Sequence, residues 1–240
     1  MQQLQGLSIL DECLADTAAS SSKFGVDANE WSQRVQSVVD LLLKYTTLRL
    51  CDSNPTLHLK CFELIQHLLT VLERDNYHIS EYEASVFLPV FLTKTGDNKE
   101  IIRTTVRNIL KQFCSIYPAS KMFGHLLGGL NSKNARTRAE CMEEMALLIQ
   151  RHGMSIFSPQ KIFPQIAKQI ADRDASVRSA AINVVLQAYF IVGDAEVIYK
   201  HLGQLTPKDK SLIEEKVRGA HTSCSLSFRR KRSINTEIID

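Results

Sequence analysis

A polar turn that comes round four times constrains this chain more than any other feature. Each copy places Asp or Asn in a turn, follows it with small or polar residues, and closes on an apolar residue and a base. The copies read Asp52-Ser53-Asn54-Pro55-Thr56-Leu57-His58-Leu59-Lys60, Asp97-Asn98-Lys99-Glu100-Ile101-Ile102-Arg103, Asn134-Ala135-Arg136-Thr137-Arg138 and Asp174-Ala175-Ser176-Val177-Arg178. The closing bases Lys60, Arg103, Arg138 and Arg178 stand 43, 35 and 40 residues apart. A period of about 40 belongs to HEAT-type helical repeats, whose units bury their apolar faces on one another.

Each turn opens an amphipathic helix. Leu57, Cys61, Leu64, Ile65, Leu68 and Leu72 fall on one face at three- and four-residue steps, as do Ile102, Val106, Ile109, Leu110 and Phe113. Met142, Met145, Ala146 and Ile149 repeat the pattern, and so do Val177, Ala180, Ala181, Val184, Ala188, Ile191 and Val192. The Asp and Asn side chains are predicted to cap these helices by accepting their first amide hydrogens. Asn54-Pro55 adds proline at the first helical position, where no donor is wasted. Two preceding helices carry Pro89 and Pro164, each eight residues ahead of Asp97 and Asp172, which predicts a bend or a helix start. Ser80-Glu81-Tyr82-Glu83 matches a capping box. Hairpin turns and strand-like alternation are missing. The predicted fold is all-α, an α-solenoid of paired antiparallel helices.

Domain organisation follows from the same pass. Thr17 to Asp27, with Ser20-Ser21-Ser22 and Gly25, predicts a flexible connection into a long helix from Ala28 to Leu50. A last helix pair is expected over Ala195 to Gly219, its second helix opened by Thr206-Pro207. Residues 1–220 read as the repeat domain, with an incomplete first repeat, as in a fragment of a longer protein. Residues 221–240 lack periodicity and read as a disordered tail or linker.

Charge narrows the partners. The 29 Lys and Arg exceed the 26 Asp and Glu by three. Arg229, Arg230, Lys231 and Arg232 against Glu237 and Asp240 put two of those charges in the tail, so the body is near +1. A body this neutral argues against nucleic-acid binding. No apolar run of about 18 uncharged residues is found, so no membrane association is expected. The six cysteines are scattered with no C-x-x-C pair, and they read as reduced thiols.

Catalytic signatures are absent: no phosphate loop, nucleophile elbow or H-E-x-x-H is present. The seven histidines stand alone, and Cys114 and Cys141 lie on apolar helix faces. A non-enzymatic chain without cofactor or metal is expected. Attention moves to the turns, which in a solenoid line up along one edge. That strip carries Asp52, Asn54, Lys94, Asp97, Lys99, Lys133, Asn134, Arg136, Arg173, Asp174 and Arg178. The recurring Asp and Arg are equally read as an internal ladder between repeats. Lys99, Lys133 and Arg173 lie outside the core pattern and are the first candidates for partner contact.

The turns Cys51-Asp52-Ser53-Asn54, Gly96-Asp97-Asn98-Lys99, Asn131-Ser132-Lys133-Asn134 and Asp172-Arg173-Asp174 resemble the tubulin-binding edge of TOG domains, as does Tyr117-Pro118-Ala119-Ser120-Lys121-Met122-Phe123. Arg138-Ala139-Glu140-Cys141 and Val177-Arg178-Ser179-Ala180-Ala181 are similar to the microtubule polymerase branch that includes Mini spindles and chTOG. Thr47 to Asn54 is similar to the fourth TOG domain of such arrays. The likeness spans about residues 5 to 218.

It implies a paddle of about six HEAT repeats whose turns bind the αβ-tubulin heterodimer. The chain would be a monomeric module of a microtubule polymerase or plus-end regulator, cytoplasmic, at microtubules, spindle and centrosome. By resemblance the tubulin contacts are Arg49, Asp52, Ser53, Asn54, Pro55, Lys94, Asp97, Asn98, Lys99, Ser132, Lys133, Asn134, Arg136, Arg173, Asp174, Ser176 and Arg178. Many TOG domains present Trp at the first turn, whereas Trp31 here opens the second repeat's first helix. The alternative is a HEAT scaffold docking another protein in its concave face. Arg178 follows the buried Val177 near a helix N-terminus, where a cation opposes the helix dipole. Asp172, Asp174 or an acidic partner group must therefore answer it, and the resemblance favours the partner.

Overall fold

The computed structural model describes residues 2–203 and 205–219; the tail at 221–240, with Cys224 and Arg229 to Arg232, lies outside them. The elements run α1 Gln2–Ala15, α2 Thr17–Lys23, α3 Ala28–Ser37, α4 Val39–Leu50, α5 Pro55–Arg74, α6 Glu81–Thr93 and α7 Glu100–Ile116. They continue with α8 Ala119–Gly129, α9 Ala135–His152, α10 Pro159–Ile170, α11 Ala175–Val192 and α12 Ala195–Leu202, followed by α13 over 207–219. Among the described residues no strand occurs. The all-α, paired-helix class predicted from the repeats is the one observed.

The chain divides into two compact units between Glu144 and Met145, inside α9. In the first, α1, α5 and α7 pack side by side as one layer and α4, α6 and α8 as the other, with α4 closing on α5. In the second, α10 packs on α11 and α12, and α11 packs on α12.

The predicted apolar faces are the buried ones. Leu57, Cys61, Leu64, Ile65, Leu68 and Leu72 of α5 are buried, as are Ile102, Val106, Ile109, Leu110 and Phe113 of α7. A run of rings joins the two layers of the first unit. Phe62 meets Phe91 edge-on at 5.9 Å, Phe91 stacks on Phe87 at 4.7 Å, and Phe87 reaches Phe113 at 5.9 Å. Phe113 then meets Tyr117 at 5.5 Å. Aromatic pairs at these distances contribute about 0.5–1.5 kcal/mol beyond the area they bury. The capping box forms as read: Glu83 N donates to Ser80 Oγ at 3.3 Å and Ser80 N donates to Glu83 Oε2 at 2.7 Å. Glu83 is only 6% exposed. Its other oxygen accepts from Tyr77 Oη at 2.8 Å, so the buried carboxylate is satisfied.

Several expectations are corrected. The connection Thr17 to Asp27 contains α2, capped by Asp16, whose Oδ1 accepts from Ala19 N at 2.8 Å. The long helix from Ala28 to Leu50 is two helices broken at Val38, which sits at φ −119° and ψ 9°. Ser37 Oγ turns back to donate to Arg34 O at 2.8 Å, and two β-branched valines follow, a combination that weakens helix propagation. Pro89 and Pro164 start no helix; both lie inside one, on its exposed side, where the carbonyl four residues back is free to meet water. Ile191 and Val192 are exposed, at 44% and 37%, because α11 ends one residue later at the left-handed Gly193.

By length and composition α11 also meets the test for a membrane span that no segment was expected to meet. Its buried Val177, Ala180, Ala181, Val184, Val185 and Ala188 belong instead to the packed core of the second unit.

Replacing Phe91 with Ala is expected to cost about 3–5 kcal/mol, read as a lower urea midpoint, because three helices meet at that ring run.

Candidate functional site

Three of the four turns are built to one rule. In the second, Arg103 Nη1 donates to the carbonyls of Asp97 at 2.7 Å and Asn98 at 3.0 Å. In the third, Arg138 Nη1 donates to Ser132 O at 2.9 Å and Lys133 O at 3.4 Å. In the fourth, Arg178 Nη1 donates to Asp172 O at 2.9 Å and Arg173 O at 2.8 Å. Each arginine reaches back six and five residues and ties two successive turn carbonyls to the helix that follows. Bonds from a charged donor are the stronger kind, each contributing about 1.5–3 kcal/mol.

This geometry corrects the sequence register in the first turn. Lys60 is not the closing base; it pairs with Glu63 at 2.5 Å on the helix surface. The residue six places after Asp52 is His58, buried at 5% exposure, and its Nε2 meets Asp52 O at 2.6 Å. The signal that identifies it is the six-residue offset, which the apolar-then-base pattern hides because Leu59-Lys60 repeats the motif two places on.

The caps follow the prediction at three turns. Asn54 Oδ1 accepts from Thr56 N at 3.0 Å, Asn134 Oδ1 from Arg136 N at 3.0 Å, and Asp174 Oδ1 from Ser176 N at 2.8 Å. At the second turn the cap position is Lys99, which makes no side-chain cap. Asp97 Oδ1 accepts from Lys99 N at 2.8 Å and closes the turn one step earlier.

In the first unit the turns stand next to one another. Asn134 Nδ2 donates to Gly96 O at 3.0 Å. Arg136 Nη1 donates to Asp97 O at 3.1 Å, and Thr137 Oγ1 to Thr93 O at 3.4 Å. Lys94 Nζ lies 3.4 Å from His58 Nε2, which brings the 94–99 segment beside the first turn. Gly96 permits the closest approach: a Cβ there would lie 2.7 Å from Asn134 Nδ2 and 2.9 Å from Thr137 N, and closer still to Thr137 Oγ1. Gly96 and Thr137 were not singled out in the sequence, since a close approach between repeats leaves no local pattern.

The second and third repeats are tied again further along. Arg107 forms a bidentate pair with Glu140, Nε to Oε2 at 2.8 Å and Nη2 to Oε1 at 2.5 Å. The hydrogen bonds to Glu140 raise the Arg107 pKa. Arg103 also pairs with Glu100 across one helical turn.

The sequence-predicted residues fall into two groups. Arg136, Asn134, Asp97, Asn98, Arg178 and Ser132 are engaged in the turn network through side chain or carbonyl. Ser53, Pro55 and Ser176 shape the turns, and Arg49 lies 3.5 Å from Asp52 across Nη1 and Oδ2. Lys99, Lys133 and Arg173 are exposed and join none of the ion pairs among the described residues. In the second unit Arg173 and Asp174 sit on the fourth turn. Its neighbours Asp172 and Arg178 line a groove of about 820 Å³ shared with Thr206, Lys208 and Asp209.

Among the described residues no cluster of three His, Cys, Asp or Glu is placed to hold a metal ion. The described cysteines are all free thiols. Burial pushes the Cys61 and Cys141 thiols up to about 12, so neither is a thiolate near neutral pH.

Paired helices whose connecting turns are locked side by side in the first unit, with exposed cations that join no ion pair among the described residues, define a helical-repeat binding module. The chain belongs to the XMAP215/Dis1/CLASP family and carries its TOG domain, the family model matching residues 14–216. It is 43% identical over 182 residues to Protein mini spindles of Drosophila melanogaster, covering 76% of this chain and 9% of that protein. It is 34% identical to Protein MOR1 of Arabidopsis thaliana, covering 90% of this chain and 10% of that one. The chain thus spans about a tenth of the length of these relatives.

Among solved structures, a "TOG domain structure from C.elegans Zyg9" superposes with a TM-score of 0.79 at 33% identity, covering 92% of this chain and 80% of that one. Another, described as "TOG-tubulin binding specificity promotes microtubule dynamics and mitotic spindle formation", gives 0.76 at 38% identity, covering 88% and 75%. The match is to the TOG domain as such and assigns no place within an array.

Two outcomes follow from this geometry. Gly96→Ala should destabilise the first unit by about 1–3 kcal/mol, because the added methyl meets backbone as well as side chain; chemical denaturation would measure it. Arg178→Ala should lower the melting temperature, since two charge-assisted bonds to turn carbonyls are lost, and the conservative Arg178→Lys should recover only part of it.

Proposed function

We propose that this chain is a non-enzymatic tubulin-binding module, and that its turn edge is the face that meets the αβ-tubulin heterodimer. The observation that carries this reading is the set of cap-and-strut turns presenting Lys99 and Lys133 in the first unit and Arg173 in the second, none of them in an ion pair among the described residues, in a chain of the TOG family. Tubulin is strongly acidic, so exposed cations on fixed turns are suited to it. Electrostatic matching of this kind speeds encounter and sets register.

The residues divide by task under this reading. Arg103, Arg138 and Arg178 hold turn backbone, while Arg49, Asp52, Ser53, Asn54, Pro55, Lys94, Asp97, Asn98, Ser132, Asn134, Arg136, Asp174 and Ser176 shape the surface and contribute polar contacts. Lys99, Lys133 and Arg173 supply the steering charge. Arg178 can serve both roles, since Nη1 is engaged by carbonyls and the side chain is half-buried.

A single module binds; polymerase activity would come from several modules on one chain through effective concentration. The name mini spindles points to the spindle, and on that ground we place this chain at cytoplasmic microtubules, spindle and centrosome, as a monomer without cofactor.

Gel filtration with purified tubulin tests the reading directly: co-elution of the two is expected, and separate elution at micromolar concentrations would reject it. Lys99→Glu with Lys133→Glu is expected to weaken the complex at least tenfold, about 1.4 kcal/mol, with an unchanged melting temperature. Added salt should reduce the difference between wild type and variant.

A further inference from the structure

Three of the four described turns are held by arginine and one by histidine, and the substitution changes what the strut can do. Arginine offers a fork of donors and needs no particular tautomer. Each of the three uses one nitrogen for two carbonyls. His58 makes one bond to the turn, Nε2 to Asp52 O at 2.6 Å. A carbonyl oxygen only accepts, so Nε2 must carry the hydrogen, and Nδ1 is then a bare acceptor in the neutral ring. That Nδ1 is buried with no hydrogen-bond partner.

The surroundings share this incompleteness. Arg49 Nε and Asp52 Oδ2 are also buried and unpartnered, although Arg49 Nη1 lies 3.5 Å from the same Asp52 oxygen. Lys94 Nζ stands 3.4 Å from His58 Nε2, and since both nitrogens carry hydrogen this contact is not a hydrogen bond. The first turn therefore lacks both the second carbonyl bond of its counterparts and the full pairing of its own side chains. Ser53 O, the equivalent of the second accepted carbonyl in the other turns, receives nothing from His58.

We propose that His58 is a positioning residue for the turn Asp52–Asn54: its single, tautomer-dependent bond sets the conformation in which that turn meets tubulin and leaves it the one adjustable turn of the four. The proposal deepens the tubulin reading and depends on it only for the consequence on binding. The conformational part stands by itself.

The test uses the full chain and two substitutions. His58→Gln keeps a neutral amide nitrogen at the place of Nε2, able to donate to Asp52 O; His58→Leu fills the space without a donor. Amide hydrogen exchange at residues 52–54 is expected to be at least tenfold faster in His58→Leu than in wild type, and within about threefold of wild type in His58→Gln. The Kd for tubulin should rise at least fivefold in His58→Leu and return in His58→Gln. Equal exchange in all three proteins would overturn the positioning role, and so would a leucine variant that binds tubulin as wild type does. If wild type itself fails to bind tubulin, the functional reading falls while the exchange measurement still decides the role of His58.

Should the leucine variant not fold, imidazole ¹⁵N shifts of the wild-type protein decide instead. A protonated Nε2 with a bare Nδ1 is expected, and the opposite tautomer overturns the proposal.

Discussion

The bond from a cation back to the carbonyls of the preceding turn is the interaction on which the exposed edge depends. A turn between antiparallel helices leaves backbone carbonyls at its corner that neither helix can satisfy. Arg103, Arg138 and Arg178 satisfy them from the first turn of the next helix. A cation near a helix N-terminus is unfavourable against the dipole by a few tenths of a kcal/mol. Two carbonyl acceptors, each worth more than that, outweigh the penalty, so the position is favourable without any partner. The cation thereby fixes backbone whose neighbouring side chains remain free to face outward.

The layers beneath determine where those turns stand. In the first unit the ring run from Phe62 through Phe91, Phe87 and Phe113 to Tyr117 spans both layers and fixes the distance between α5, α6 and α7. On the turns themselves, Asn134 reaches Gly96 and Arg136 reaches Asp97. The missing side chain at Gly96 is what allows the backbone of one turn to lie against the helix start of the next. In the first unit the turns are thus joined to one another by short polar contacts above the packed core.

Much of this was legible in the sequence. The helical class, the turns that open α5, α7, α9 and α11, three of the four caps and the capping box at Ser80 followed from periodicity and local chemistry. The family resemblance carried by the turn residues agrees with the family found by comparison. Other features escaped for physical reasons. The break at Val38 is a small local preference competing with an otherwise continuous apolar pattern. Exposure of Ile191 and Val192 depends on where Gly193 stops the helix, and hence on how many residues remain to cover its end. The histidine strut carries no residue-type signal, because the constraint is a distance of six residues along a turn and a helix.

The sequence by itself determined that this chain folds as paired helices with polar turns at a period near 40, because side-chain periodicity and capping chemistry act over a few residues and need no distant partner. It also determined which charges are available at those turns. Only the tertiary structure decided which of them are spent: Arg107 on Glu140, Arg136 on Asp97, and Arg178 on its own turn, with Lys99, Lys133 and Arg173 left exposed. That division depends on distances between repeats, which arise from how the buried faces pack, and packing is a property of side chains far apart in the chain.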